Sequence, residues 1–135
     1  VTTTEEDIAF TKLSTINHQL TTLHFCLCPN ANLYITNTLP NVNMLMEQNG
    51  NIVFGTDSLA SNHQLNILEE IKTLHKNFPE IKLETLLQWA TINGAKALQM
   101  DNTLGSFEIN KKPGVVLIEG IVKEELNKAS SKRIL

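Results

Sequence analysis

The residue best placed to do chemistry in this sequence is Asp57. It closes the run Asn51-Ile-Val-Phe-Gly-Thr-Asp57, in which an apolar stretch drives directly into Gly-Thr-Asp-Ser. A carboxylate at the end of a buried strand can help hold a divalent cation or take a proton from an attacking water. The plainer role is to shape the turn into Ser58-Leu-Ala-Ser-Asn62, as Asp often does, and spacing alone leaves both roles open. A second group, His24, Cys26 and Cys28, alternates along one apolar stretch. Neighbours two apart on a strand lie roughly 6.6 Å from each other. No second ligand pair completes a tetrahedral set, so reduced packing residues are the better reading. Asn30 and Asn32 follow that stretch, and Ser58, Asn62 and His63 follow Asp57. Polar side chains on loops beyond strand ends can contact a small substrate. Turn formation and helix capping use the same residue types.

The elements that must carry these residues follow from periodicity. A helix is expected from about residue 5 to 17, with Ile8, Ala9, Leu13 and Ile16 on one face and Thr3 with Glu6 as a capping box. Residues 21–28 read as a strand stopped by Pro29, residues 30–40 as an Asn-rich loop, and 41–50 as a short helix closed by Gly50. Asn51 to Thr56 is a second strand. A helix over about 64–77 carries Leu65, Leu68, Ile71 and Leu74 as its apolar stripe, with Glu69, Glu70, Lys72 and Lys76 mostly away from it. Another spans about 83–100, with a break at Asn93-Gly94, and Trp89 in its core face. Residues 105–120 read as strand-like, with a Lys-Lys-Pro-Gly turn before Val115 to Ile118. The order of elements predicts an α/β protein built of parallel βα units. Two parallel strands leave both edges unpaired, so the missing partners are expected from further chain, a second copy or the C-terminal strand.

Alternation along the strands gives each one two unlike faces. Leu23, Phe25 and Leu27 oppose His24, Cys26 and Cys28; Ile52, Phe54 and Thr56 oppose Val53, Gly55 and Asp57. The bulkier face suits covering helices. The smaller face suits the crowded inside of a closed barrel, with Gly55 leaving room for a neighbour. Asp57 is then expected at the C-terminal end of its strand, pointing inward, on the rim where α/β barrels gather their catalytic groups.

The totals narrow the class of partner. The 135 residues, 41% hydrophobic and 19% charged, have the composition of a soluble globular domain. With a net charge of -3 and no basic cluster beyond the tail Ser131-Lys-Arg133, nucleic acid is not an expected partner. No apolar run approaches the roughly 18 residues of a membrane span. Two cysteines spaced one apart fit a reduced, cytoplasmic setting. The chain begins at Val1 and a helix cap follows at once, which raises the expectation of a chain cut at a junction.

"CPNANLYI", "NIVFGTDSLASN", "LLQWATINGAKAL" and "LGSFEINKKPGVVLI", in that order, resemble the C-terminal third of metal-dependent amidohydrolases. The branch is the one that holds chlorohydrolases, guanine deaminase and related hydrolytic deaminases. The resemblance implies a TIM-like (β/α)8 barrel segment over residues 1–103 and a return into a small β domain over 104–135. It makes the two strands the seventh and eighth of the barrel. It implies hydrolysis of a C–N bond, with deamination of a heterocyclic small molecule within range, by water activated on Zn or Fe. Asp57 matches the eighth-strand aspartate that binds metal weakly and shuttles the proton. Asn30, Asn32, Ser58 and His63 become candidate substrate contacts. The family's histidine ligands are absent from these residues, the last being expected just before Val1, so the 135 residues alone are expected to be inactive and metal-free. A homo-oligomer is expected. Two departures stand out: Asn110-Lys-Lys-Pro-Gly114 replaces the usual turn, and Gln99 replaces a frequent glycine. The rival expectation is a non-catalytic domain that self-associates through its open sheet edges.

Overall fold

The computed structural model describes residues 3–18, 22–123 and 125–135, with side chains omitted for 14–18. Helix α1 (Glu5–His18) starts on a capping box one residue later than expected. Thr4 Oγ1 accepts the Asp7 amide at 3.2 Å, and Asp7 Oδ2 takes both the Thr4 amide and its hydroxyl at 2.8 Å. Those two bonds, the amide first, hold the Asp7 carboxyl below its ordinary range. Thr4-x-x-Asp7 satisfies the same pattern as Thr3-x-x-Glu6, and the shorter side chain wins. Of the expected apolar face only Ile8 is buried; Ala9 and Leu13 are exposed, and Ile16 lies outside the described side chains.

Strands β1 (His24–Leu27) and β2 (Asn51–Phe54) pair in parallel, Cys26 opposite Val53 and Leu27 opposite Phe54. Between them the Asn-rich stretch is not a loop. Its first part is helix α2 (Pro29–Thr36), with Pro29 in the first turn, where a missing amide costs nothing, and Asn37 closing it at φ 52°. Helix α3 (Val42–Glu47) ends with Gln48 as its cap. The left-handed residue is Asn49, not Gly50, and the Gly50 amide reaches back to the Leu45 carbonyl. Helix α4 (Ile67–Asn77) begins at the Asn66 cap, so Leu65 falls outside it and is exposed. The expected long helix is two, α5 (Leu83–Ala90) and α6 (Ile92–Ala97). The break falls at Thr91, whose hydroxyl returns to the Leu87 carbonyl at 2.7 Å.

Ile52 and Phe54 join Leu27, Leu68, Ile71, Leu74, Leu86 and Trp89 in one buried cluster, with Phe25 packed on it. This is the bulky face that alternation predicts. Gly55 donates to the Leu27 carbonyl at 2.9 Å, so Val53 and Gly55 bond toward β1 while Ile52 presents its carbonyl to the other edge. There Asn93 Nδ2 donates to it at 3.0 Å, tying α6 to the open side of β2. The C-terminal strands do not extend this sheet. Residues 105–115 are irregular, and β3 (Val116–Glu119) pairs antiparallel with β4 (Ser130–Arg133) in a separate two-stranded sheet. Leu126 and Ala129 of the intervening turn nevertheless pack into the main cluster.

Gln99 has a backbone reason to be a glycine. It lies at φ 57°, with its amide on Lys96 O and the Met100 amide on Ala95 O, the paired bonds of a Schellman cap closing α6. A side chain in this left-handed region is strained. Gln99→Gly is therefore expected to raise stability by about 0.5–1 kcal/mol in urea unfolding. An unchanged or lowered midpoint would show that the Gln99 side chain contributes more than its backbone costs.

Candidate active site

Asp57 is placed by a turn rather than by strand alternation. β2 ends at Phe54, Gly55 adds one more ladder bond, and Asp57 sits three residues beyond the strand at φ 56°. Strand alternation, on which the expectation that it shares the face of Val53 and Gly55 rests, therefore does not extend as far as Asp57. Its side chain is exposed, and its two oxygens differ. Oδ2 accepts the Ser61 hydroxyl at 2.6 Å, while Oδ1 accepts no hydrogen bond among the described residues. Turn formation and availability for chemistry thus coexist on one carboxylate, an oxygen for each.

The turn itself is built from Ser58, Ser61 and Asn62. The Ser58 carbonyl takes the Ser61 amide at 3.1 Å and its hydroxyl at 3.2 Å, and Ser58 Oγ takes the Ala60 amide at 3.3 Å. Asn62, nearly buried, donates from Nδ2 to Thr56 O at 2.8 Å and to Glu70 Oε1 at 2.6 Å. Glu70 has no solvent exposure, which corrects its assignment to the polar side of α4. Residues four apart on a helix share a face, so Glu70 lies with Leu74 and not with the outward residues. Its Oε2 accepts the Asn30 amide at 2.8 Å, and Thr73 Oγ1 donates to Asn30 Oδ1 at 2.6 Å. One buried side chain therefore joins the exit of β1 to the exit of β2. That spacing to Leu74 was the signal in the sequence that could have found it.

On the smaller face of the sheet, Gly55 lies against both thiols. A Cβ added there would stand 2.6 Å from Cys26 Sγ and 3.1 Å from Cys28 Sγ, so this position admits no side chain. Cys26 is exposed and Cys28 half-buried. The Cys28 thiol donates to Cys26, which lowers Cys26 to about 7 against the opposing effect of burial. The same bond, with burial, pushes Cys28 far above the ordinary thiol range, although the Asp57 backbone amide pulls it down. His24 Nδ1 is buried and has no hydrogen-bond partner among the described residues. No group of three or more His, Cys, Asp or Glu among the described residues could hold a metal, so His24-x-Cys26-x-Cys28 is not a metal centre by itself.

A cleft of about 360 Å³ opens between α2 and α4, lined by Asn30, Tyr34, Asn62, His63 and Thr73 among others. His63 meets Tyr34 edge-on, ring centroids 5.7 Å apart. The cleft brings together Asn30 and His63. Asp57, Ser58 and Asn32 are not part of its lining. Asn32 instead takes its place in the first turns of α2, its amide on Cys28 O and its carbonyl accepting the Thr36 hydroxyl. Among the described residues no helix is long and apolar enough to cross a membrane.

The pattern of the amidohydrolase family matches residues 1–134. This chain belongs to the amidohydrolase family. It is similar to the 5-methylthioadenosine/S-adenosylhomocysteine deaminase of Thermoanaerobacter pseudethanolicus, 38% identical over 98 residues that cover 67% of this chain and 23% of the relative. It is also similar to the 5'-deoxyadenosine deaminase of Methanosarcina acetivorans, 34% identical over 98 residues covering 67% and 22%. Among solved structures, an adenosine deaminase from Xanthomonas campestris with bound zinc matches with a TM-score of 0.63 at 29% identity, covering 71% of this chain and 24% of that one. The guanine deaminase of E. coli matches with a TM-score of 0.69 at 25% identity, covering 88% and 27%. The chain thus spans about a quarter of the length of these relatives. The family carries a divalent metal, and among the described residues the open Oδ1 of Asp57 is a carboxylate oxygen of the kind that could ligate one. Hard oxygen donors of this kind are ordinary zinc ligands, but one carboxylate is far short of a full set.

The thiol pair gives a pH prediction. Because Cys28 stabilises the Cys26 thiolate, iodoacetamide should modify Cys26 with a midpoint near pH 7, and reaction should fall away below it. Cys28→Ala removes the donor and should return that midpoint to the ordinary thiol range. Identical midpoints in the two proteins would contradict the hydrogen bond.

Proposed function

We propose that this chain is the C-terminal part of a metal-dependent (β/α)8 amidohydrolase that hydrolytically deaminates an aminopurine nucleoside or a related heterocycle. Residues 1–103 contribute barrel units and residues 104–135 a return into a small β domain. The observation that carries the reading is Asp57, held just beyond β2 with Oδ2 engaged by Ser61 and Oδ1 open, in a chain of this family. The parallel register of β1 and β2 and the helices covering the Phe54 face support the barrel assignment. The deaminase names of the relatives support the substrate class.

A bound divalent metal supplies acidity to a water molecule, bringing its ionisation toward neutral pH. The chain's part is the proton. Asp57 Oδ1 is free to accept it, and Ser61 keeps the carboxylate from rotating by holding Oδ2. Once the water oxygen has bonded to the ring carbon, a carboxylate in that position can deliver the same proton to the amine nitrogen. The C–N bond then breaks with ammonia leaving, while the oxygen becomes a carbonyl and its remaining proton passes to the adjacent ring nitrogen. Asn30 and His63, on the cleft beside the turn, are the proposed substrate contacts. Asn32 and Ser58, which lie outside that lining, are proposed contacts on the family resemblance alone. The substrate is a small molecule, and the assembly a homo-oligomer in the cytoplasm.

The test is ammonia release by the full polypeptide that carries this sequence, loaded with zinc, from 5'-methylthioadenosine, S-adenosylhomocysteine, adenosine and guanine. Turnover is expected on at least one of them. Asp57→Asn, which keeps the shape but cannot take the proton, should lower kcat by about a thousandfold or more while leaving the unfolding midpoint nearly unchanged. Activity retained within a few-fold would remove Asp57 from the mechanism.

A further inference from the structure

Glu70 is remote from the proposed chemistry by sequence, yet its bonds end on the residues that shape it. Its carboxylate is fully buried, and each oxygen meets one donor: Asn62 Nδ2 at 2.6 Å on Oε1 and the Asn30 amide at 2.8 Å on Oε2. Asn62 relays this to the peptide just before Asp57 through its 2.8 Å bond to Thr56 O. Ser61, the neighbour of Asn62, holds Asp57 Oδ2 at 2.6 Å. The loop is therefore fastened at its entry and at the carboxylate by two adjacent residues, and Glu70 fixes one of them from the helix behind.

We infer that Glu70 is a positioning residue for Asp57, an inference that rests on the deaminase reading above. Asp57 sits at φ 56°, a backbone state that an L-residue leaves unless its surroundings hold it. The clamp on Thr56 and Ser61 supplies that hold. The donor pattern explains why the residue is a glutamate. Glutamine would turn an NH2 group toward either Asn62 or the Asn30 amide, both of which donate. Asn62 cannot rotate its amide to compensate without giving up Thr56 O and the Gln64 amide, which its Oδ1 accepts at 3.3 Å. A leucine would suit the buried side of α4 at least as well for packing, but could hold neither loop. The function of a carboxylate here is thus to place chain, not to fill space.

The experiment uses the full zinc-loaded polypeptide and the variants Glu70→Gln and Asn62→Ala, the second breaking the same link from its other end should the first fold poorly. Two readouts are taken together: hydrogen exchange of the amides from 56 to 61, and kcat and KM on the nucleoside that the wild-type protein deaminates. Exchange in that loop should rise about tenfold or more, with β2 and the second half of α4 unchanged. Turnover should fall about 10- to 100-fold, with KM within about twofold and zinc content unchanged. A loop that exchanges as before overturns the inference, as does faster exchange with full kcat, or a loss of zinc that matches the loss of rate. If the wild-type protein deaminates none of the substrates, the deaminase reading fails separately, and the exchange readout alone decides whether Glu70 holds the loop.

Discussion

A carboxylate with no exposure to water persists only where hydrogen bonds replace what solvation supplied. Glu70 meets that requirement by binding chain from two places that are far apart in sequence, the start of α2 and the loop after β2. The consequence is mutual. The loops satisfy the charge, and the charge fixes where the loops lie. Loops of this length have little apolar surface of their own to hold them, so their conformation is set by such polar ties. Asp57 and the Asn30 end of the cleft between α2 and α4 both inherit their positions from this one side chain.

The opposite faces of the sheet divide the work. Phe25, Leu27, Ile52 and Phe54 face helices α4 and α5, where burial supplies the cohesion of the fold. Cys26, Cys28 and Gly55 make the other face, thin enough that the two sulfurs and the glycine touch. The backbone of Asp57 offsets part of the rise in the Cys28 thiol, so the turn that presents the carboxylate lies near this face. Asn93 belongs to a motif that carries the family resemblance, and it has a structural part as well, closing the Ile52 carbonyl on the edge of β2.

The strands, the parallel pairing and the apolar faces were legible in the sequence because period-two alternation and the stop at Pro29 act locally. So was the place of Asp57 at the exit of the second strand. What was not legible has physical reasons. The Asn-rich stretch looked like a loop because asparagine is a weak helix former, but Pro29 in the first turn and the bond from the Asn30 amide to Glu70 hold it helical. The left-handed state of Asp57 depends on bonds closed by residues several positions on, and that of Asn49 on the Gly50 amide reaching back to the Leu45 carbonyl. Glu70 was misplaced because reading the apolar stripe in steps of three drifts away from the side where Leu74 and Glu70 coincide. The break at Thr91 instead of Asn93-Gly94 follows from a hydroxyl bonding back into its own helix, which composition does not reveal.

Asp57 has one oxygen committed to the turn, and the proposed mechanism turns the other toward a metal-activated water. The most direct measurement is a crystal structure of the full polypeptide that carries this sequence, grown with zinc and located by anomalous scattering. Zinc is expected beside Asp57 Oδ1, at about 2.0–2.2 Å if bound directly or one water away, with Ser61 still on Oδ2. Zinc bound elsewhere, with Asp57 facing bulk solvent, would contradict it.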